Sequence, residues 1–266
     1  MSRNKRRGGN SSPIKHYLQF SGGTGVFSYY NKGTKTRTEL DKLEVIILDV
    51  RASITGFDST SKAQITSNLV TDTNSEKFKV VSWKDKKTTD IAEGLYKDIK
   101  EKVTSKSVGG RFTTNVLCLC DLGNGQEVCN LQLSGSALNG WINFLKGLEK
   151  GSEYDSVITF KRGALSVVDG KEFRAVSKEE EEDLDKKIAK NKRHPRPIWF
   201  YVLDFETADL TDEQVDLASE QDDILQEYFE GVSPKISEDD SEEDDSTNPT
   251  EEQEGKDDEE KPKLPF

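Results

Sequence analysis

The segment LEVIILDVRASITGF, residues 43–57, decides the fold class. Its residues 45–48 form a continuous apolar run, which is typical of a strand buried on both faces. Polar and apolar residues then alternate, which is typical of a strand with one face toward solvent. The two alternating faces carry Val50, Ala52 and Ile54 on one side and Arg51, Ser53, Thr55 and Phe57 on the other. We therefore predict a strand that is buried in its first part and half-buried in its second.

Further strand patterns lie on both sides of this segment. Residues 17–20 and 26–30 flank a glycine-rich turn, which is typical of a β-hairpin. A second hairpin is predicted around Asn124-Gly125, the strongest short turn signal, and a turn centred there places Cys120 opposite Cys129. The remaining predicted strands are 78–83, 157–160, 171–176 and 198–205.

Three segments have helical spacing instead. Apolar residues recur every 3.6 residues over 91–103, behind an Asp90 suited to capping, and again over 136–145 and, in acidic form, over 211–229. Strands with an inserted helix are typical of the OB-fold, a five-stranded Greek-key barrel with a helix between its third and fourth strands. We predict a mainly β, OB-like barrel with one or two packed helices, although a β-sandwich gives similar sequence patterns.

Charge divides the chain into unlike parts. Residues 206–266 contain 24 acidic and four basic residues, whereas residues 1–205 carry a net charge of +8. A segment so acidic and so poor in apolar residues cannot bury enough surface to offset the entropy of ordering. The predicted organisation is a flexible basic arm (1–13), a folded domain (14–205), an acidic, helix-forming segment (206–230) and a disordered acidic tail (231–266).

Several classes of protein are excluded by composition. The longest apolar run, residues 198–203, is far shorter than the roughly 20 residues needed to span a membrane. The basic start is not followed by an apolar segment, so no secretory signal is expected. Three cysteines are too few for a disulfide framework. These features predict a cytoplasmic protein with no membrane partner.

Catalytic and metal motifs are weak. The only histidines, His16 and His194, stand outside any nucleophile or metal motif. Convergent carboxylates could form a two-metal nuclease site, and the candidates are Asp49, Asp58, Asp72, Asp85 and Asp121. Three thiols on one face could bind zinc, and these are Cys118, Cys120 and Cys129. We expect turn carboxylates and small buried thiols instead, and therefore no enzyme activity, metal or cofactor.

Aromatic and basic residues interleave on the predicted strands, which favours single-stranded nucleic acid. Aromatic rings stack on unpaired bases, and cations follow the phosphate backbone. The candidate binding residues are Phe27, Tyr29, Tyr30, Lys32, Lys35, Arg37, Arg51, Phe57, Lys79, Trp83, Lys84, Lys86, Lys87, Arg111 and Phe112. Trp83 is the strongest of these because three lysines follow it closely.

The acidic tail ends in the apolar residues Leu264, Pro265 and Phe266. A disordered tail gains no stability from such residues. A terminal ring, a stiff proline and a carboxylate together could be bound by a pocket that contains a basic residue. We therefore predict a partner-binding tip.

These features resemble two groups of proteins. The tail from Asp257 to Phe266 is similar to the acidic tip of bacterial single-stranded DNA-binding proteins. The body, in residues 17–20, 27–30, 91–100 and 130–141, resembles the single-stranded DNA-binding proteins of tailed bacterial viruses, the crAss-like phages in particular. The resemblance implies an OB-fold that coats single-stranded DNA during viral replication in the host cytoplasm. It also implies recruitment of replication or recombination proteins through the tip.

Together, these features predict a sequence-independent single-stranded DNA-binding protein. The alternative of a different class is a non-enzymatic virion, assembly or scaffold protein with a partner-binding acidic tail.

Overall fold

The computed structural model describes residues 12–31, 34–58, 61–169, 172–177, 179–183 and 198–232. The predicted arm (1–13) and tail (231–266) therefore lie outside the described residues, apart from residues 12, 13, 231 and 232. The tip residues Leu264, Pro265 and Phe266 lie outside them as well.

The described part is mainly β. Its strands are β1 His16–Ser21, β2 Val26–Asn31, β3 Thr36–Leu40, β4 Lys42–Asp58, β5 Ala63–Ser67, β6 Phe78–Lys84, β7 Lys87–Gly94, β8 Gly110–Asp121, β9 Gln126–Leu133, β10 Ser156–Asp169, β11 Glu172–Ala175 and β12 Ile198–Asp209. Its longer helices are α1 Tyr96–Val103, α2 Ser136–Gly147 and α3 Asp212–Val232. Within the described ranges, no helix combines the length and the apolar character needed to cross a membrane.

The strands form one mixed sheet with the order β3-β2-β1-β9-β8-β4-β5-β6-β7. β1 and β9 are parallel, and the other neighbours are antiparallel. β10 pairs with β4 outside this path and also pairs with β11 and β12. Over the described residues, the sheet is not closed. The mainly β class is confirmed, whereas the barrel stays a prediction.

The predicted central segment is strand β4. One edge pairs with β8 over residues 45–56, and the other edge pairs with β10 at its start and with β5 at its end. Val45 and Ile47 pack on the side of α2, while Ile46 and Leu48 pack on the side of α3. The continuous apolar run is therefore buried on both faces, as the sequence predicts.

One face of the sheet, which we call the core face, carries most of the apolar side chains. Trp141 of α2 is buried there beside Phe160, with ring centroids 5.5 Å apart. Ile99 and Val103 of α1 pack against Phe78 and neighbouring residues of the same face. The two helices cover adjacent parts of the core face, whereas α3 packs on the opposite face, over Ile46 and Leu117.

The start of the helix predicted over 91–103 was wrong. Residues 87–94 form strand β7, paired with β6 through Val80 and Ala92, and the helix begins only at Tyr96. The β6–β7 turn, Asp85-Lys86, has positive φ at both residues (50° and 63°). This is the geometry of a two-residue hairpin turn. Asp90 is therefore a strand residue and not a cap.

The β8–β9 hairpin is present, but its predicted register was wrong by two residues. Asp121 pairs with Gln126, so Cys118 and not Cys120 lies opposite Cys129. The Asp121 carboxylate accepts hydrogen bonds from the amides of Gly123 (2.7 Å) and Gly125 (3.1 Å). Both glycines have positive φ, 100° and 94°, which costs glycine little. A shift of two residues in register leaves each side chain on the same face of the sheet. The three thiols therefore still lie on one face.

The C-terminal part of the folded body extends beyond its predicted limit. The boundary placed between residues 205 and 206 falls inside β12, which continues to Asp209. Thr211 then caps α3, because its hydroxyl accepts a hydrogen bond from the amide of Gln214 (3.3 Å) and the Gln214 side chain accepts one from the Thr211 amide (2.9 Å). The completely buried Leu225 anchors α3 on Ile46 and Leu117. The acidic helix is part of the domain.

Candidate nucleic-acid interface

The face opposite the core face is apolar where α3 packs on Ile46, Leu117 and Val128. The rest of this face is polar, and we call it the open face. Registered pairs place the following side chains across six adjacent strands in one row: Glu39, Ser28, Gln19, Gln132, Asn115 and Arg51. A second row crosses the other half of the sheet through Phe57, Gln64, Trp83 and Thr88. Because side chains alternate between faces, Tyr17, Tyr30, Arg37, Thr55, Lys79, Arg111 and Thr113 share the open face.

Four large aromatic side chains are exposed on this face. Tyr17 is 53% exposed, Tyr30 57%, Phe57 56% and Trp83 48%. The only other exposed aromatic side chain among the described residues is Tyr154, in the loop before β10. Exposed rings are thus concentrated on one surface, although burying an aromatic side chain is strongly favourable.

Positive charge accompanies these rings. Lys79 shares the open face with Trp83, and the tight turn brings Lys84 directly opposite Lys87 with the exposed Lys86 between them. Beside Tyr30, the Arg37 guanidinium donates two hydrogen bonds to the Ser28 hydroxyl (2.8 and 2.6 Å). Cations therefore lie next to exposed rings at both ends of the open face.

A groove of about 740 Å³ crosses the middle of the open face. Its lining includes Tyr17, Gln19, Phe57, Arg111, Thr113 and Gln132. Among the described residues, its lining has no carboxylate, and Arg111 is the one charged side chain. Burial raises the pKa of Tyr17, and the neighbouring Tyr228 of α3 raises it further. The Tyr17 hydroxyl is therefore protonated at neutral pH.

Two of the predicted stacking residues are core residues instead. Phe27 is fully buried against Phe20, with ring centroids 5.0 Å apart. Tyr29 is also buried and lies 5.0 Å from the ring of His16. Both side chains point to the core face because they pair with Phe20 and Leu18 of β1. Their prediction as base-stacking residues was wrong.

Arg51 was predicted to bind nucleic acid, but its guanidinium is already engaged by other residues of the chain. Its guanidinium lies 2.7 Å from the Asp49 carboxylate, donates to the Gln226 side chain at 2.9 Å, and stacks on the Phe229 ring at 3.7 Å. Its side chain is only 16% exposed. Arg51 attaches the acidic helix α3 to the sheet.

The remaining candidate binding residues differ in where they lie. Phe112 is half-buried and its ring lies 4.8 Å from that of Tyr96, so it belongs mainly to the core. Lys35 is exposed in the β2–β3 turn with a φ of 56°. Lys32 lies outside the described residues. Tyr17 and Gln19 were missed, although the alternation of residues 17–20 contained their signal, and Gln132 of β9 was missed as well.

The cysteines lie in the core beside Leu131. Burial raises the pKa of Cys118, and a hydrogen bond with Cys120 together with burial raises the pKa of Cys129. Zinc requires thiolates, which this environment disfavours. In the described ranges, no three His, Cys, Asp or Glu side chains form a group that could hold a metal.

The five carboxylates considered for a nuclease site have separate local roles where the structure defines them. Asp49 is paired with Arg51, and Asp121 closes the β8–β9 turn. Asp72 accepts hydrogen bonds from the Ser75 hydroxyl and the Asn74 amide, which lower its pKa. Asp58 accepts one from Ser61, and Asp85 is a turn residue.

Comparison of the chain with family models, curated proteins and solved structures returned no match.

Proposed function

We propose that this chain is a non-enzymatic protein that binds single-stranded DNA without sequence preference through its open face. The observation that carries the proposal is the position of the exposed rings: Tyr17, Tyr30, Phe57 and Trp83 share one face of one sheet. Each base has a flat π-face, so ring stacking is tolerant of sequence. In duplex DNA these faces are already stacked on neighbouring bases.

The spacing of the rings suits an extended strand. From Tyr17 on β1 to Trp83 on β6 there are five strand spacings. At about 4.8 Å each, they amount to about 24 Å across the sheet. A single strand following this path passes Arg111 in the groove and reaches the lysines of the β6–β7 turn. The rings supply stacking, and the cations neutralise phosphates.

A role in replication, as the resemblance to phage proteins implies, is part of the proposal. The protein would coat single strands exposed during viral DNA synthesis and bring replication or recombination proteins to them through its tip. The tip lies outside the described residues, so sequence alone supports this part.

The binding proposal is tested by titrating the intrinsic tryptophan fluorescence, in which Trp83 is the exposed tryptophan among the described residues, with oligo-dT and with duplex of equal length. We expect single strands to bind at least about tenfold more tightly, since unpaired base faces add stacking to the phosphate contacts. The affinity should fall with salt, with a log–log slope of about −0.7 per neutralised phosphate. Equal affinity for duplex and single strand would exclude the proposal, and absence of binding to both would favour the scaffold alternative.

Partner recruitment is tested by deleting Leu264, Pro265 and Phe266. These side chains carry no charge, so we expect affinity for oligo-dT to remain within about twofold. Replication proteins that copurify with the full chain should be lost, because the apolar tip is what a partner pocket would bind. The matched control replaces Val215 by alanine, an exposed apolar residue of α3 that lies outside the tip sequence. If the shortened chain retains every partner, the recruitment proposal is wrong.

A further inference from the structure

The Arg37 side chain of β3 is fixed in position but is not neutralised. Its Nε and Nη2 groups donate hydrogen bonds to the Ser28 hydroxyl oxygen at 2.8 and 2.6 Å. Ser28 is only 2% exposed, whereas Arg37 is exposed. By contrast, Lys42, Arg51 and Lys161 each donate to a carboxylate. Among the described residues Arg37 forms no ion pair, so it presents a full positive charge at a fixed place on the open face.

The hydrogen bonds to Ser28 occupy one edge of the Arg37 guanidinium, the edge that Nε and Nη2 form. The end edge, which Nη1 and Nη2 form, makes no hydrogen bond within the described part of the chain. A guanidinium edge is a planar pair of donors that matches two oxygens of a phosphate or a carboxylate. Because Ser28 already holds the group, less side-chain entropy is lost when an anion binds. The free edge is therefore suited to an anion with two oxygens.

The side chains around this edge favour a phosphate that belongs to a nucleic acid. Tyr30 lies directly opposite Arg37 on β2, and its ring is 57% exposed. Side chains in such a pair are about 5 Å apart at Cβ, so one ligand can contact both. A single strand carries a phosphate beside each base, which offers a flat face and an anion together. The exposed Glu39 carboxylate, opposite Ser28, disfavours anions that gain no contact with the ring.

We propose that Ser28 positions Arg37 to bind one backbone phosphate, next to a base that stacks on Tyr30. The inference rests on the proposed function and deepens it, because it assigns one phosphate contact to the Tyr30 end of the open face. Arg37 contacts the strand, and Ser28 acts through Arg37 as a positioning residue.

The phosphate contact is tested by the salt dependence of oligo-dT affinity in Arg37→Ala. The affinity should fall by about tenfold, the effect of a hydrogen bond to a charged group. The log–log salt slope should become shallower by about 0.7, because one phosphate fewer is neutralised. The matched control is Lys161→Ala, since the Lys161 ammonium is already paired with Glu206 and Asp204, and its slope should equal that of the wild type. An unchanged slope in Arg37→Ala, or equal changes in both variants, would overturn the phosphate contact.

The positioning role of Ser28 is tested by a double-mutant cycle. Ser28→Ala alone should lower the affinity by about threefold, the effect of one neutral hydrogen bond. Its salt slope should stay at the wild-type value, because the charge of Arg37 remains and only its position is lost. In the Arg37→Ala background, Ser28→Ala should cause no further loss, since the two residues act as one unit. Equal losses in both backgrounds would mean that Ser28 only supports the sheet, and the positioning role would be wrong.

A further variant leaves Ser28 unchanged. Arg37→Lys keeps the charge but replaces the planar fork by a point charge, so the salt slope should be retained while the affinity falls. Wild-type affinity in Arg37→Lys would contradict the need for a fixed guanidinium. All these variants should fold, because Arg37 is exposed and Ser28→Ala removes a single oxygen, and urea unfolding checks this. If the wild type binds no oligonucleotide, it is the proposed function that fails, whereas additive losses with intact single-strand binding overturn only the role of Ser28.

Discussion

Replacing Phe57 and Trp83 together by alanine is expected to weaken oligo-dT binding by about 2–6 kcal/mol. Stacking contributes about 1–3 kcal/mol for each base. The two rings are separated by Gln64 on β5, hence by two strand spacings or about 10 Å. Sites that far apart usually contribute additively, so each single variant should show about half the loss. Fluorescence anisotropy of a labelled oligonucleotide measures all three variants, since Trp83 is lost as a probe.

The folded state should be little affected by these substitutions. Both side chains are about half exposed, and exposed substitutions usually change stability by less than about 0.5 kcal/mol. Tyr154→Ala is the matched control, because it removes an exposed ring that lies in the loop before β10. Its affinity should equal that of the wild type. Equal losses in Tyr154→Ala, or wild-type affinity in the double variant, would remove the open face as the binding surface.

Local patterns predicted those parts of the candidate surface that depend on one strand alone. Alternation along residues 43–57 put Phe57 on the face opposite Ile54, and in the structure Phe57 is exposed and Ile54 is buried. Lys79 and Trp83, two candidate binding residues on the predicted strand 78–83, are exposed as well. The buried run at 45–48 likewise predicted a strand covered on both sides. In each case the period of side chains along the backbone carries the information.

The errors concern contacts that are distant in sequence. Arg51 has the alternation of a solvent-facing residue, yet its partner Gln226 lies 175 residues away. Nothing near residue 51 indicates that an acidic helix will pack there. Similarly, the β8–β9 register depended on how Asp121 bonds the turn amides, a choice that the Asn-Gly signal does not determine.

Strand β2 carries aromatic residues on both the core face and the open face, so it tests the assignment of side chains to these faces directly. Its sequence Val26-Phe27-Ser28-Tyr29-Tyr30 is rich in aromatic residues, and the sequence did not separate their roles. The pairing with β1 does, because Phe27 and Tyr29 lie opposite Phe20 and Leu18 on the core face, whereas Tyr30 projects from the open face.

Phe27→Ala and Tyr30→Ala should therefore have opposite consequences. Phe27 is fully buried, so its loss should lower the free energy of unfolding by about 3–5 kcal/mol. Tyr30 is 57% exposed, so its loss should leave stability within about 0.5 kcal/mol and weaken oligo-dT binding by about 1–3 kcal/mol. Urea unfolding gives the first quantity, and titration at a temperature where both variants remain folded gives the second.

Comparison of the two variants separates folding from binding within a single six-residue strand. Folded Phe27→Ala should bind with an affinity close to that of the wild type, because its ring never reaches the open face. A stable Phe27→Ala variant with weakened binding would show that β2 presents its other face to the ligand. A Tyr30→Ala variant that is less stable but binds oligo-dT with wild-type affinity would also contradict the face assignment. Tyr30 would then stabilise the fold and would not contact the bound strand.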